Sequence, residues 1–345
     1  MADAAAAPTE LPELREVREL AEQLGGRGRL ECLTEIPLGE DRLPVLALCL
    51  GNPDPGCPAI GVFGGVHGLE RIGAEVALAF LRSLVHRLRW DQSLQLALRQ
   101  LRLVFLPVVN PGGLALGTRA NPQGVDLMRN APLEAEGSVP WPLGGQRLSP
   151  RLPWYRGEPG RLEAESEALC ALVRRELLGR PFSLAVDCHS GFGVQDQLWF
   201  PYAYRAEPAP HLAEFLALGE IFEQTQIHHQ YRYEPQALQY RTHGDLWDHL
   251  YLESQRAHEG CFLPLTLEMG SWLWVKKNPR QLFSRYGIFN PLIGHRHQRV
   301  MRRHLSLLDF LLRAVLSHEQ WRPLGSQRAA FEARGRARWY EGVAA

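Results

Sequence analysis

Charge of neither sign is in excess: Lys+Arg and Asp+Glu number 38 each in 345 residues. The chain as a whole therefore lacks the field that would mark it as a binder of nucleic acid or acidic lipid. It also lacks an uninterrupted apolar run long enough to cross a bilayer. The start, MADAAAAPTELPELREV, has no basic cluster followed by an apolar stretch and does not read as a secretory signal. The six cysteines include no C-x-x-C pair, a distribution that fits reduced thiols better than a disulfide frame. These absences predict a cytoplasmic protein with neither a membrane nor a nucleic-acid partner. No G-x-S-x-G stands at a strand-to-helix turn, which weakens a serine hydrolase reading. GGLALG and SGFGVQD lie outside the strand–helix setting that a phosphate or dinucleotide loop requires. Cys188 and His189 are adjacent, so on a strand their side chains face opposite ways and form no dyad.

What is present is alternation. Apolar, strand-like runs (LPVLALCLG, AIGVFGG, LRLVFLPVV, FSLAVDC, QLWFPYA, FLPLTLEMG) alternate with helical patterns (RIGAEVALAFLRSLVHRL, EAESEALCALVRRELL, PHLAEFLALGEIFEQT, RHLSLLDFLLRAVLS). This predicts an α/β protein: a single domain with a central mixed, largely parallel twisted sheet flanked by helices. A lead-in helix within residues 1–30 would precede a domain over 31–318, with a peripheral, partly basic tail at 319–345. Residues 131–161, rich in Pro, Gly and Trp, read as a long ordered loop. The basic stretch GHRHQRVMRRH, residues 294–304, reads as the solvated start of the final helix.

H-x-x-E occurs twice, at His67/Glu70 and at His211/Glu214. The first pair follows a strand-like run through Gly64, Gly65 and Gly68, which allow a tight turn, and Glu70 stands where a helix begins. In open α/β sheets functional groups collect beyond the carboxyl ends of strands. The second pair lies inside a helical pattern and is expected to face solvent. His189 ends another strand-like run. A lone strand-end histidine is usually an ordinary loop residue, but His67, Glu70 and His189 at matching positions make the His2Glu set of a catalytic zinc site with a fourth position for water. Asp187 and Ser190 flank His189 and could hydrogen-bond the ligands. Glu268 ends FLPLTLEMGS, where apolar surroundings raise a carboxyl pKa toward the range of a general base.

With these residues, the sequence resembles the zinc metallocarboxypeptidases over roughly residues 40–290. The motifs that carry the resemblance are NPGGLALGTRANPQGVDLMRN after H-x-x-E, YRGEPGRLEAE, DCHSG, YRTHGDLWD and the strand ending at Glu268. The resemblance implies one Zn2+ per chain held by His67, Glu70 and His189, and hydrolysis of an amide bond next to a terminal residue bearing a free carboxylate. Glu268 would be the general base toward metal-activated water, and Arg119 would stabilise the oxyanion. Arg129 would grip the substrate carboxylate, and Tyr240 would close over the substrate. Trp247 would shape the specificity pocket by narrowing it or stacking on substrate. One departure stands out: Met128 replaces an asparagine that usually helps bind the terminal carboxylate, and a thioether offers no donor. In style the NPGG-to-GVD segment is closest to the compact bacterial branch with murein peptide amidases. Two other readings share the metal set: an N-acyl-amino-acid deacylase of the aspartoacylase and succinylglutamate desuccinylase type, acting on acylated amino acids, and a zinc-binding relative without turnover.

Overall fold

The structure, a computed structural model, describes residues 10–228, 230–257 and 260–341. Eight strands form one sheet: β1 (Gly28–Leu38), β2 (Asp41–Gly51), β3 (Ala59–Gly64), β4 (Arg102–Leu106), β5 (Phe182–Ser190), β6 (Gln197–Phe200), β7 (Arg232–Pro235) and β8 (Cys261–Met269), in the order β1-β2-β4-β3-β5-β8-β6-β7. The helices are α1 (Pro12–Leu24), α2 (Arg71–Arg87), α3 (Gln92–Ala97), α4 (Pro111–Leu116), α5 (Ala164–Glu176), α6 (Leu212–Thr225), α7 (Leu246–Ala257), α8 (Trp272–Lys277), α9 (Gly294–Leu316), α10 (His318–Trp321) and α11 (Gly325–Trp339). Four of the seven strand pairings are parallel, so the sheet is mixed, with three of the parallel pairings at the centre and one, β6 with β7, at an edge.

Every residue of β3, β5 and β8 is buried, as expected of parallel strands covered on both faces. The helices α2 and α9 pack against β3 and β5, while α5 meets β4 and α7 meets β8. Since β3, β5 and β8 are parallel neighbours, their carboxyl ends share one edge of the sheet. In register, Gly64 pairs with Cys188 and His189 with Glu268.

The lead-in helix α1 buries Leu14, Val17, Leu20 and Leu24, an apolar face at helical spacing, and ends at Gly25, whose φ of 55° suits glycine. Residues 131–161 form no element beyond a bridge between Gln146 and Tyr155. Gln146 holds this loop by donating to the carbonyls of Ser149, Leu152 and Pro153 and accepting from Leu148 and Ser149 N–H.

Two expectations are corrected here. The His211/Glu214 pair does not face solvent: Glu214 is buried on α6, where it accepts from Arg328 of α11, and His211 contacts the Tyr251 hydroxyl. The cause is α11, which lies along α6 with Gly335 against Leu212 and buries Trp339 edge-on to Phe200. GHRHQRVMRRH begins α9, which is followed by two further helices.

Candidate metal centre

Close backbone approach builds the loop between β3 and α2. A Cβ on Gly68 would lie 2.0 Å from the Gly113 carbonyl carbon, and one on Gly73 would lie 2.1 Å from the Cys188 oxygen. Glycine at 68 thus lets this loop sit directly on α4, and glycine at 73 lets the first turn of α2 sit on the end of β5. Asn110 of the N-P-G-G motif locks the arrangement. Its Oδ1 accepts from Gly113 N–H to cap α4, and its Nδ2 donates to the Val66 carbonyl at 3.2 Å. Glu70, preceding α2, is thereby brought to the strand-end histidine of β5.

The result is a buried cluster. His67 Nδ1 lies 2.9 Å from Glu70 Oε1, and His189 Nδ1 lies 3.1 Å from Glu70 Oε2. The ligand atoms of all three residues fall within 4.8 Å of one another. Tetrahedral ligands on zinc at about 2.1 Å sit about 3.4 Å apart, so the set has the right span. The chemistry of the donors agrees. Each histidine turns its other nitrogen to a carboxylate: His67 Nε2 to Asp126 Oδ1 at 3.0 Å and His189 Nε2 to Asp187 Oδ2 at 2.7 Å. Such bonds fix the proton on Nε2 and leave the Nδ1 lone pair for a cation. His67, Glu70 and His189 therefore fit a zinc ion.

Asp126 was not singled out from sequence, though it lies within the G-V-D motif. It is the hub of this side of the cluster: Oδ1 also accepts from Met128 N–H, and Oδ2 accepts from Arg119 Nε at 2.9 Å. Burial disfavours its charge, but Arg119 and His67 outweigh that and hold the carboxyl well below the usual range. Asp126→Ala is expected to weaken zinc about ten- to a hundredfold, measured by competition with a chromophoric chelator. Arg119 also donates to Glu70 Oε1 at 3.1 Å. Burial disfavours the Glu70 charge too, yet His67 and His189 carry its pKa far below an ordinary glutamate's. Ser190 contributes its N–H to Glu70 Oε2, while its hydroxyl donates to the Phe289 carbonyl rather than to His189.

The cluster opens into a cavity of about 380 Å3 lined by Arg119, Met128, Arg129, Tyr240 and Glu268, with Trp154, Phe192, Trp199, Asp245 and Trp272 among the further walls. Glu268 lies beside His189 in register and accepts from Phe192 N–H at 2.9 Å. Burial, reinforced by the Glu70 charge, pushes its carboxyl up to about 8 in the metal-free protein. Arg129 is pinned by carbonyls, with Nε and Nη2 donating to Leu143 O and Nη1 to Met128 O. Tyr240 engages Arg129 and packs edge-on to Trp199. Met128 turns an apolar side chain to the cavity.

Trp247 corrects the sequence reading. It does not line the cavity: α7 carries it into the core, where its indole meets Phe63 edge-on and Nε1 donates to Asp187 Oδ2 at 2.8 Å. It supports the carboxylate that orients His189. Of that stretch, Asp245, 3 % exposed, lines the cavity together with Tyr240, and its spacing from Tyr240 carried no signal by itself. Trp154 reaches the cavity from the long loop with φ at 60°, a left-handed conformation that costs a non-glycine residue about 1 kcal/mol or more.

Fold and cluster together define the class: an α/β protein with a candidate metal centre on the carboxyl edge of its sheet. Residues 41–271 match the zinc carboxypeptidase family, peptidase M14, and the chain belongs to it. Among curated proteins it is similar to murein peptide amidase A of Escherichia coli K12, 32% identical over 118 residues, which are 33% of this chain and 43% of that protein. It is also similar to carboxypeptidase SOL1 of Arabidopsis thaliana, 32% identical over 75 residues, 22% of this chain and 15% of that protein. The aligned stretches thus span less than half of either relative. Among solved structures, bovine thrombin-activatable fibrinolysis inhibitor shares the fold with a TM-score of 0.67 at 17% identity, over 90% of this chain and 97% of that one. Carboxypeptidase A of Helicoverpa armigera does so with 0.56 at 16% identity, over 84% and 71%. Among the described residues no helix is long and apolar enough to cross a membrane, and all six cysteines are free.

Proposed function

We propose that this protein hydrolyses an amide bond next to a terminal residue that carries a free carboxylate. The observation that carries this reading is one cavity holding the His67–Glu70–His189 cluster, the buried carboxyl of Glu268 and two arginines. A zinc ion held by the three ligands supplies Lewis-acid polarisation of the scissile carbonyl and lowers the pKa of water.

The side chains divide the remaining work. Glu268 acts as the carboxylate, its proton affinity raised by burial, and takes a proton from the attacking water and returns it to the leaving nitrogen. Arg119, fixed by Asp126, offers positive charge to the developing oxyanion. Arg129 receives the substrate carboxylate. Its own hydrogen bonds to backbone carbonyls keep the guanidinium in place before binding, so little ordering is left to be done on substrate arrival. Tyr240, beside Arg129, covers that end of the substrate. With Met128 in the wall, carboxylate recognition falls to Arg129 without help from an amide side chain.

Arg129→Lys tests that division: KM for carboxylate-bearing substrates is expected to rise about ten- to a hundredfold, while substrates capped as amides at that terminus do not change. The reaction itself is tested by incubating the protein with peptide and N-acyl-amino-acid panels, with and without a chelator, and reading products by mass spectrometry. Chelator-sensitive release of C-terminal residues, or cleavage of a murein-type γ-glutamyl amide as in the compact bacterial branch, supports the proposal. Cleavage of acylated amino acids only would replace it with the deacylase reading. No cleavage at all by zinc-loaded protein would leave a zinc-binding relative without turnover.

A further inference from the structure

Between Glu268 and Asp309 the sequence has no acidic residue and eight Lys or Arg, so that the rest of the chain, equal in its totals of 38 each, carries an acidic excess. Over most of the surface the structure neutralises its arginines in pairs such as Arg174–Glu253, Arg175–Glu31, Arg328–Glu214 and Arg338–Glu223. Here it does not. Lys276, Lys277, Arg280, Arg285, Arg299 and Arg302 are all exposed, and among the described residues none of these six forms an ion pair, whereas Arg303 pairs with Asp196 and His297 with Glu75. Exposed large apolar side chains gather in the same segment. Of thirteen such side chains, Trp272, Leu282, Phe283 and Leu292 fall within 21 residues, and Phe283 is 94% exposed.

The segment is a built unit. After α8, successive turns are closed by N–H to carbonyl bonds from Gln281 to Asn278, Ser284 to Gln281 and Gly287 to Ser284. The buried Gln281 amide donates to the carbonyls of Gly287 and Asn290, and Arg296 ties α9 back to Trp274 O and Gln281 Oε1. A cleft of about 150 Å3 between α8 and α9 is lined by Lys277, His295, Arg299 and Arg303 together with Leu273, with Asp196 as its one carboxylate. Uncompensated cations interleaved with exposed Leu and Phe are what an anionic lipid surface accommodates, because headgroups take the charges while apolar side chains enter the acyl boundary. A nucleic acid would use the charges but would leave Leu282 and Leu292 without a partner.

We infer that the exposed side chains of residues 272–302 dock the protein peripherally on an anionic phospholipid surface. No spanning segment is involved, and the inference does not depend on the reaction proposed above. Because Trp272, Ile288 and Phe289 of the same segment line the catalytic cavity, docking would set the mouth of the site against the bilayer.

Flotation of the full chain tests this, with vesicles of phosphatidylcholine alone and of phosphatidylcholine with about one third phosphatidylglycerol. The protein is expected to float with the anionic vesicles only and to be released by high salt. The double variant Lys276→Glu/Lys277→Glu should lower partitioning about twentyfold or more, since each basic residue near such a surface contributes about fivefold. Phe283→Ser, at unchanged charge, should lower it about tenfold. Thermal unfolding like the parent's would show that both variants fold; the positions are exposed and no buried partner is lost. Absence of flotation with anionic vesicles overturns the proposal, and so does retention of parental flotation by either variant. Binding to an oligonucleotide or acidic peptide without flotation would also overturn it and assign the patch to another polyanion.

Discussion

Glu268→Gln is expected to keep its zinc and lose turnover by a factor of about 10^2 to 10^4, the range a positioned general base contributes. The substitution is nearly isosteric, and Phe192 N–H can still donate to the amide oxygen, so the cavity wall is preserved. What disappears is the proton acceptor. Parallel measurement of kcat and of zinc content by mass spectrometry separates this outcome from loss of the metal. The pH profile adds a second check. Glu268 acts as the carboxylate, so kcat/KM should fall as pH drops through its pKa. Burial and Glu70 set that pKa at about 8 without metal, and the positive charge of zinc moves it down. The acid limb should therefore lie below 8 and vanish in the glutamine variant. Wild-type turnover by Glu268→Gln would remove the proposed mechanism.

His189→Ala is expected to abolish zinc binding, and His67→Ala to do the same. Each removes one of three ligands and strands a buried carboxylate, Asp187 or Asp126, without its imidazole partner. Zinc at about a thousand times its Kd stabilises a folded protein by about 4 kcal/mol. That increment should be present in the parent and missing in both variants, read as the zinc-dependent shift in thermal unfolding. Acid should act in the same direction on the parent. Burial disfavours the His189 imidazolium, but Asp187 and Glu70 outweigh it and raise its pKa well above an ordinary histidine's. The stabilisation this gives the metal-free protein is full below the unfolded-state pKa and is lost as pH rises through the raised folded-state pKa. Zinc must displace that proton, so its affinity should weaken as pH falls below the raised pKa. Zinc binding by His189→Ala equal to the parent's would show that the cluster is not the metal centre.

Much of the site was legible as local pattern. His67, His189 and Glu268 each stand where an apolar run breaks, and the buried central strands β3, β5 and β8 read as near-continuous apolar runs. Strand β1 escaped notice because it is half-buried, with a register shift between Cys32 and Thr34. The pocket assignment of Trp247 failed for a different reason. Its place next to Asp248 is a matter of sequence, whereas its direction depends on how α7 packs, and packing turns it to Asp187. Glu214 was likewise read from its own helix, but its burial comes from α11, more than a hundred residues away.

By itself the sequence determined the alternation of strands and helices, the residue types able to bind and activate, and the strand-end positions they occupy. These follow from periodicity and from chemistry that each side chain carries wherever it lies. Only the tertiary structure decided that β3, β5 and β8 are parallel neighbours, which brings residues 67, 189 and 268 to one edge. It also decided that Asp126 and Asp187 orient the two imidazoles, and that among the described residues the exposed Lys and Arg of 276–302 form no ion pair. Such relations depend on distances between segments far apart along the chain, and no local pattern encodes a distance.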